Sequence, residues 1–510
     1  MTSQEAVLDF LRAGEGAAFG PVSAPVRQID THGASIFLIG DKAWKLKRAV
    51  RYPYLDFSTV ELRRQALCNE LELNRRTAPD LYLGVHAITR NEAGRLTLDG
   101  AGDVVDWVLE MRWFPDGALL SDMADKGSLS MGDLQALVDG ISAFHARAPI
   151  VSAPDGFARF AAVVEGNVAS LDTFAAGLGR EDVARLIRAL RSALADGADL
   201  LRQRGLQGRV RHVHGDLHLA NIAMIDGVPT PFDCLEFDAE LATTDTLYDI
   251  AFLMMDLWQR GLKPEANSVF NRYCDLNGQD EDGVALMPLF LATRAAVRAH
   301  VLAAQAERAG ASLALAEGAR HYLRLALDFL VPCRLGLVAV GGLSGSGKST
   351  VARGIAPFIG RAPGARVLRS DVLRKRLAGH LPESRLPVAA YTRENTARVY
   401  DCLTGQAARS LRSGVSVVVD AVFAHETERA HAGQIAVEAG VRFRGFWLDC
   451  AEDVRVARVG LRQGDASDAD AAVARAQTAY AISALGDWVQ VDASGLPQTV
   501  IDTVRQYLQD

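Results

Sequence analysis

The sequence predicts two domains of different class: an α+β N-terminal half, and an α/β C-terminal half built on a doubly wound parallel sheet. Three observations lead there. The chain has 510 residues, more than one core comfortably organises, and that length corresponds to about two to four domains. Before about Cys333, strand-like text comes first and long Ala- and Leu-rich helical text follows. After it, short apolar segments alternate with helical ones, the rhythm of a parallel sheet covered on both faces. The boundary is therefore placed at residue 333, giving domains 1–333 and 334–510.

The totals narrow the class. Hydrophobic residues make up 49% and charged residues 23% of the chain, with no repeat or low-complexity tract, so a folded globular protein is expected. A formal charge of −7 gives no reason to expect nucleic acid or an anionic membrane as partner. Cys68, Cys234, Cys274, Cys333, Cys402 and Cys450 form no CxxC pair, which argues against a disulfide framework or a cysteine zinc site. The start MTSQEAVLDFLRAGEG lacks a basic segment followed by an apolar run. No uninterrupted apolar stretch approaches a bilayer span, and IAFLMMDLW, broken by Asp256, reads as a buried helix. The expected location is the cytoplasm.

In the N-terminal half, residues 35–47 read as two strands joined by a tight turn at Gly40 and Asp41. Ser58 is the expected cap of a helix over 59–76, with Leu62, Ala66 and Leu73 at helical spacing. VVDWVLEMRW is a further strand, ending near Pro115 and Gly117. Helical text fills 130–205 and 288–330, and RHVHGDLHLANIAMIDGVPTPFDCLEF between these blocks reads as a small hairpin embedded in helices.

In the C-terminal half the expected strands are LGLVAVGG, ARVLRSD, VSVVVDA, FRGFWLDC and WVQVDAS. The first runs into GGLSGSGKST, the pattern GxxxxGKS between a strand and a helix. Gly342, Gly345 and Gly347 permit the backbone angles that turn successive N–H groups toward phosphate, with Ser344, Ser346 and Thr350 completing the loop. Lys348 is expected on the β- and γ-phosphates of a nucleoside triphosphate, and Ser349 on Mg²⁺. Asp420, closing VVVDA, is a second metal candidate. Asp371, read as the end of the strand before VLRKRL, and Arg374 one helical turn on define an acceptor site. As a helix-capping aspartate and a surface arginine the same pair would be unremarkable. Arg458 and Arg462 precede a polar segment that reads as a lid bringing cations onto the transferring phosphate, or as plain helix surface. Together these segments resemble the small P-loop kinases of the gluconate kinase, polynucleotide kinase and zeta-toxin type. The resemblance covers most of 334–510 and implies phosphoryl transfer on a P-loop NTPase sheet.

HGDLHLAN, from His214 to Asn221, fits the catalytic-loop pattern HxDxxxxN, in which Asp216 orients the acceptor hydroxyl and Asn221 reaches a metal. Asp233 in PFDCLEFD stands at the distance of the metal-binding aspartate, with Asp-Cys-Leu in place of DFG. These motifs resemble the aminoglycoside phosphotransferases and related small-molecule kinases, over about residues 25–330. That resemblance implies a protein-kinase-like bilobal fold. It further implies Lys45 or Lys47 as the strand lysine on the phosphates, because alternation puts both on one face. Lys45 is preferred, Glu70 is its ion-pair partner, backbone around Glu110 to Arg112 forms an adenine hinge, and Asp249 supports the catalytic loop. A GxGxxG phosphate loop is missing; His32, Gly33, Ala34 and Ser35 stand there instead. His212, His214 and His218 fit the kinase loop better than a metal cluster.

The combination resembles bacterial fusion proteins described as bifunctional aminoglycoside phosphotransferase and ATP-binding proteins. It implies a phosphotransferase using ATP or GTP with Mg²⁺ on a small-molecule hydroxyl, in at least one half. Fold kinship names no acceptor. A nucleotide-sensing regulatory protein with an inactive kinase-like half and an antibiotic-resistance aminoglycoside kinase are the rival readings.

Overall fold

The structure is a computed structural model that describes residues 3–14, 19, 25–31, 33–52, 55–151, 155–236, 238–310, 312–461, 466–480, 482 and 484–509. His32 and Arg462 lie outside the described residues. The chain forms two compact units, one of Met1–Leu137, Ala143–Ser152 and Val210–Thr244, the other of Val138–Ser142, Ala153–Arg209 and Asp245–Asp510.

The first unit is built on a six-stranded antiparallel sheet in the order Arg27–Asp30, Ala34–Ile39, Lys42–Lys47, Asp103–Arg112, Tyr82–Arg90, Leu96–Leu98. The expected hairpin is present, its turn held by Gly40 at φ 64°. Strand alternation then sorts the side chains of Lys42–Lys47. Trp44 and Leu46 enter a core with Phe37, Ile39, Val108 and, from the helix Ser3–Ala13, Val7 and Leu11. Lys45 and Lys47 face the other way, toward the helix Val60–Asn74.

That helix differs from its expected form in two ways. Its cap is Thr59, whose hydroxyl accepts from Leu62 N, while the Ser58 hydroxyl is spent on Asp56. Its buried face is Arg63, Ala66, Leu67, Glu70 and Asn74, and Leu62 is exposed. Charged residues take the inner face because the sheet supplies their partners: Arg63 makes a forked pair with Asp106 at 2.8 and 3.0 Å. The catalytic-loop segment forms the short strand Val210–His212, a 3-10 turn at Leu219–Asn221, and a hairpin pairing Ile222–Ile225 with Val228–Pro231. Asp226 and Gly227 make that hairpin's turn, at φ 49° and 79°, the mirror-image geometry that suits twisted strands.

The second unit joins a helical region to a parallel sheet. Thr246–Gln259 is buried as expected, and Asp256 within it pairs with Arg260 at 3.2 Å. Gly278–Arg308 is long and apolar enough to cross a membrane by length and composition, but Arg294 and Arg298 interrupt it and it is mostly buried inside the unit. Its alanines at 292, 295, 296, 299, 303 and 306 are buried, packing that a search for uninterrupted large apolar residues overlooks.

The sheet has five strands, all parallel, in the order Arg366–Arg369, Val417–Asp420, Gly336–Gly341, Arg442–Asp449, Val489–Asp492. Alternate residues feed two cores, Leu337, Ala339, Val417 and Val419 on one face and Val338, Val340, Val418 and Phe446 on the other. Burial on both faces is why these strands read as continuous apolar runs. The outermost strand, Arg366–Arg369, is covered by the helix Lys263–Leu276. Asn271 accepts from Val367 N at 2.7 Å, and Asn267 donates to the carbonyls of Pro363 and Ala365 at 2.9 and 3.0 Å. Arg366 is 1% exposed and donates to Asn271, Asp275 and Glu281.

Candidate active site

The glycine loop joins the strand Gly336–Gly341 to the helix Lys348–Ile355. Gly342, Gly345 and Gly347 hold φ of 140°, 89° and 92°, the left-handed region closed to ordinary residues. A Cβ on Gly345 would stand 2.4 Å from the Arg455 carbonyl, so the loop also needs the missing side chain for space. Ser344 and Ser346 are buried and Thr350 is exposed. The Ser344 N–H donates to Gln477 Oε1 at 2.7 Å, which ties the loop to the segment after residue 470 and removes that donor from any phosphate. Ser346 Oγ is buried with no hydrogen-bond partner among the described residues.

Lys348 arches back over the loop, with Nζ donating to the Leu343 carbonyl at 3.0 Å. Ser349 Oγ donates to Asp420 Oδ2 at 2.6 Å. These two hard oxygens are the pair a small divalent cation would bridge, with phosphate and water completing its shell. Among the described residues no group of three or more His, Cys, Asp or Glu is placed to hold a metal by itself. The donor set therefore fits Mg²⁺ carried with a nucleotide.

Asp371, expected at the end of the strand, is instead the second residue of the helix Ser370–Leu377, because sheet pairing stops at Arg369 opposite Asp420. The helix cap is Arg369, without a side-chain cap bond, so the capping alternative for Asp371 does not describe this helix end. Burial and the nearby Asp420 charge raise the Asp371 pKa, while Arg369, Ser467 and Lys348 pull the other way. Arg374 is buried, donates to the Ala390 carbonyl at 3.0 Å and stands over the Tyr391 ring, with Nε left unpartnered. Asp468 gathers Lys375, Tyr391 and the Leu386 N–H around it. Arg458 donates to the carbonyls of Ala493 and Gly495, both at 2.7 Å, and its Nη1 stands 4.0 Å from where a Gly347 Cβ would be. It lies beside the loop, held by the chain after the last strand.

In the first unit, Lys45 Nζ lies between Glu70 Oε1 at 2.6 Å and Asp233 Oδ1 at 2.8 Å. Lys47 Nζ lies between Glu70 Oε2 at 2.6 Å and Glu236 Oε1 at 2.7 Å. Burial alone would lower the Lys45 pKa, but Asp233 and Glu70 more than offset it and the ammonium is held charged. Burial likewise opposes ionisation of Glu70, yet Lys45 and Lys47 bring it down to about 2. Both lysines meet Glu70, and Lys45 also reaches Asp233. Asn221 Nδ2 donates to Asp216 Oδ2 at 2.8 Å. The side chains of Asp216 and Asp233 are 39% and 42% exposed against 0% for Glu70, so the first two remain open to a ligand and the last is structural. Asp233 has φ 56°, and its N–H donates to the Tyr82 hydroxyl at 3.0 Å. His214 donates Nε2–H to the Phe232 carbonyl at 3.0 Å, and its Nδ1 accepts from Asp216 N at 3.4 Å, the orienting role expected of it.

At the expected hinge, the N–H groups of Arg112 and Trp113 donate to the carbonyls of Leu81 and Asp41, and Glu110 pairs with strands on both sides. Thr31 N and Ala34 O close the turn where a glycine-rich loop would stand, at 2.8 Å. Asp249 is buried, 3.8 Å from Arg294. Sequence reasoning missed Arg369, Gln477, Arg455, Glu236 and Tyr82. Arg369 had a signal, an arginine ending an apolar strand one residue before Ser-Asp.

Residues 337–482 match the family model described as AAA domain. The chain is 32% identical over 458 residues to the uncharacterized protein Rv2004c of Mycobacterium tuberculosis, covering 88% of this chain and 89% of that one. It is 32% identical over 118 residues to an adenylyl-sulfate kinase of Myxococcus xanthus, covering 23% of this chain and 59% of that one. A choline/ethanolamine kinase family protein from Mesorhizobium loti is 14% identical, with a TM-score of 0.39 over 64% of this chain and 95% of that one. The C-terminal sheet with its glycine loop is a P-loop domain, within the residues that the AAA domain model matches.

Proposed function

Because the chain belongs to the family of the Mycobacterium tuberculosis protein Rv2004c and joins two kinase-type folds, we propose that it is a phosphotransferase. It uses ATP or GTP with Mg²⁺ and moves the terminal phosphate to a hydroxyl of a small molecule, in the cytoplasm. The division of labour follows domains 1–333 and 334–510. The observation that carries this reading is the Ser349 hydroxyl at 2.6 Å from Asp420, at the mouth of a glycine loop over which Lys348 folds.

In this reading the loop and the N-terminus of the helix Lys348–Ile355 bind the phosphates, Lys348 neutralises the β- and γ-groups, and Ser349 and Asp420 hold the cation. Mg²⁺, when bound, draws charge from the transferring phosphate. Asp371 orients the acceptor hydroxyl and takes its proton. A carboxylate whose pKa is raised by burial is better suited to that task than an ordinary surface aspartate. Arg374 and Tyr391 form one wall of the acceptor site. In the kinase-like half Asp216, Asn221, Asp233, Lys45 and Glu70 take the corresponding roles. The closed turn at Thr31 and Ala34 favours a second reading of that half, in which it holds a nucleotide without turning over.

The test uses the full-length protein with γ-labelled ATP or GTP, Mg²⁺ and a metabolite extract, with adenylyl sulfate as one defined acceptor. Wild type should label a small molecule, and Lys348→Ala or Asp216→Ala should abolish the product of the half concerned. No labelled product from wild type, or undiminished nucleotide binding in Lys348→Ala, would overturn the proposal.

A further inference from the structure

The carboxylate assigned to the cation does not stand alone in its sheet. In the parallel register Arg369 lies directly opposite Asp420. Its guanidinium turns into the site, with Nε 3.3 Å from Asp420 Oδ2 and Nη2 donating to Ser349 Oγ at 3.0 Å. Both side chains assigned to the metal are thus bridged by one buried arginine.

We propose that Arg369 is a positioning residue that sets the order of binding: it neutralises Asp420, so that the divalent cation enters with the triphosphate instead of being held by the protein alone. This inference rests on the P-loop reading above. The local charges support it. Asp371 and Asp420 contribute two negative charges, which Lys348 and Arg369 offset, and Arg458 stands beside the loop as a further cation, so the site offers no excess negative charge before anything binds. A divalent cation alone would enter a site with no excess negative charge and meet a guanidinium in contact with its ligands. A triphosphate carries about four negative charges, and with its cation it leaves a net anion that Lys348, Arg369 and the helix end attract. The residue type matters, because a planar guanidinium reaches two oxygens at once and holds them in one plane, which an ammonium cannot do. Without Arg369 the Asp420 carboxylate loses the cation in contact with it, and the site suits a bare divalent ion better.

The test is a titration of the full-length protein with Mn²⁺ alone, read by electron paramagnetic resonance of the free ion, for wild type, Arg369→Gln and Arg369→Lys. Arg369→Gln should bind Mn²⁺ without nucleotide at least about tenfold more tightly than wild type, and adding Asp420→Asn should remove the gain. Arg369→Lys keeps the charge and should stay within about twofold of wild type. In chelator, Arg369→Gln should bind a fluorescent ATP analogue more weakly. Unchanged or weaker Mn²⁺ binding in Arg369→Gln would overturn the inference. So would a tenfold gain in Arg369→Lys, which decides the matter if the glutamine variant does not fold. Wild type that binds no nucleotide with Mg²⁺ would sink the P-loop reading itself, whereas normal Mg²⁺–nucleotide binding with an unchanged Mn²⁺ titration sinks only the role of Arg369.

Discussion

Replacing Arg366 with methionine keeps most of the volume of a fully buried side chain and deletes its charge. In the wild type its guanidinium donates to Glu281 and Asp275, each at 2.7 Å, and to Asn271 at 2.9 Å. Burial would lower the Arg366 pKa, and the two carboxylates outweigh it, so the charge is firmly retained. Removing one side of a buried ion pair typically costs about 3–5 kcal/mol, because the other side stays behind unpaired. The lower end applies here. The side chains of Asp275 and Glu281 are 16% and 10% exposed, and Arg376 remains 3.6 Å from Glu281. A loss of about 3 kcal/mol is a large share of the ~5–15 kcal/mol that stabilises a domain, and it equals roughly a hundredfold in an opening equilibrium. Hydrogen exchange by mass spectrometry on the full chain reads that quantity locally. Amides of residues 366–369 and 417–420 should lose about a hundredfold of protection. Replacing the whole cluster, Arg366→Met with Asp275→Leu and Glu281→Met, should restore much of it, since an apolar cluster of similar volume carries no desolvation penalty. Unchanged protection of 366–369 in the single variant would refute the reasoning.

The Glu70 pKa, about 2 against an ordinary 4.5, makes acid a probe of the first unit. A depressed folded pKa contributes stability that is complete above the unfolded value and disappears as pH falls through the folded one. The unit should therefore weaken between about pH 4.5 and 2, and Glu70→Gln should flatten that dependence in a circular-dichroism acid titration; identical profiles would contradict the ion-pair account. Gly345→Ala forces a Cβ to within 2.4 Å of a carbonyl at φ 89°. Calorimetry should show at least about tenfold weaker Mg²⁺–nucleotide binding at a strain cost of about 1–3 kcal/mol, and wild-type affinity would mean the loop does not cradle phosphate. Asp371→Asn should slow transfer far more than it weakens nucleotide binding. Because burial and Asp420 raise the Asp371 pKa above 3.8, the acidic limb of the wild-type rate should lie above that value, and a limb at or below it counts against Asp371 as the base.

The parallel sheet was legible because burial on both faces writes each strand as an apolar run, and the glycine loop because its backbone angles restrict the residue type. The face of the helix Val60–Asn74 was not legible. Arg63 and Glu70 are inside only because Asp106, Lys45 and Lys47 meet them from the sheet, and helical period assigns charge to solvent. Period two could not distinguish the surroundings of Lys45 and Lys47; Asp233, which Lys45 alone of the two contacts, lies 188 residues away in the chain. Arg369 was missed for a related reason. Its role depends on standing opposite Asp420, and strand register between segments about fifty residues apart is not written in either segment. Asp371 was read as strand and lies in the helix, since a strand that passes directly into a helix leaves no turn residue to mark the join.

The asparagines at 267 and 271 imitate a neighbouring strand, offering amide groups to backbone that would otherwise lie bare along the rim of the sheet. A bare rim is a template for adhesion between molecules. A chain cut at residue 334 would uncover it beside an arginine stripped of its acids, so the excised kinase domain should be prone to self-association.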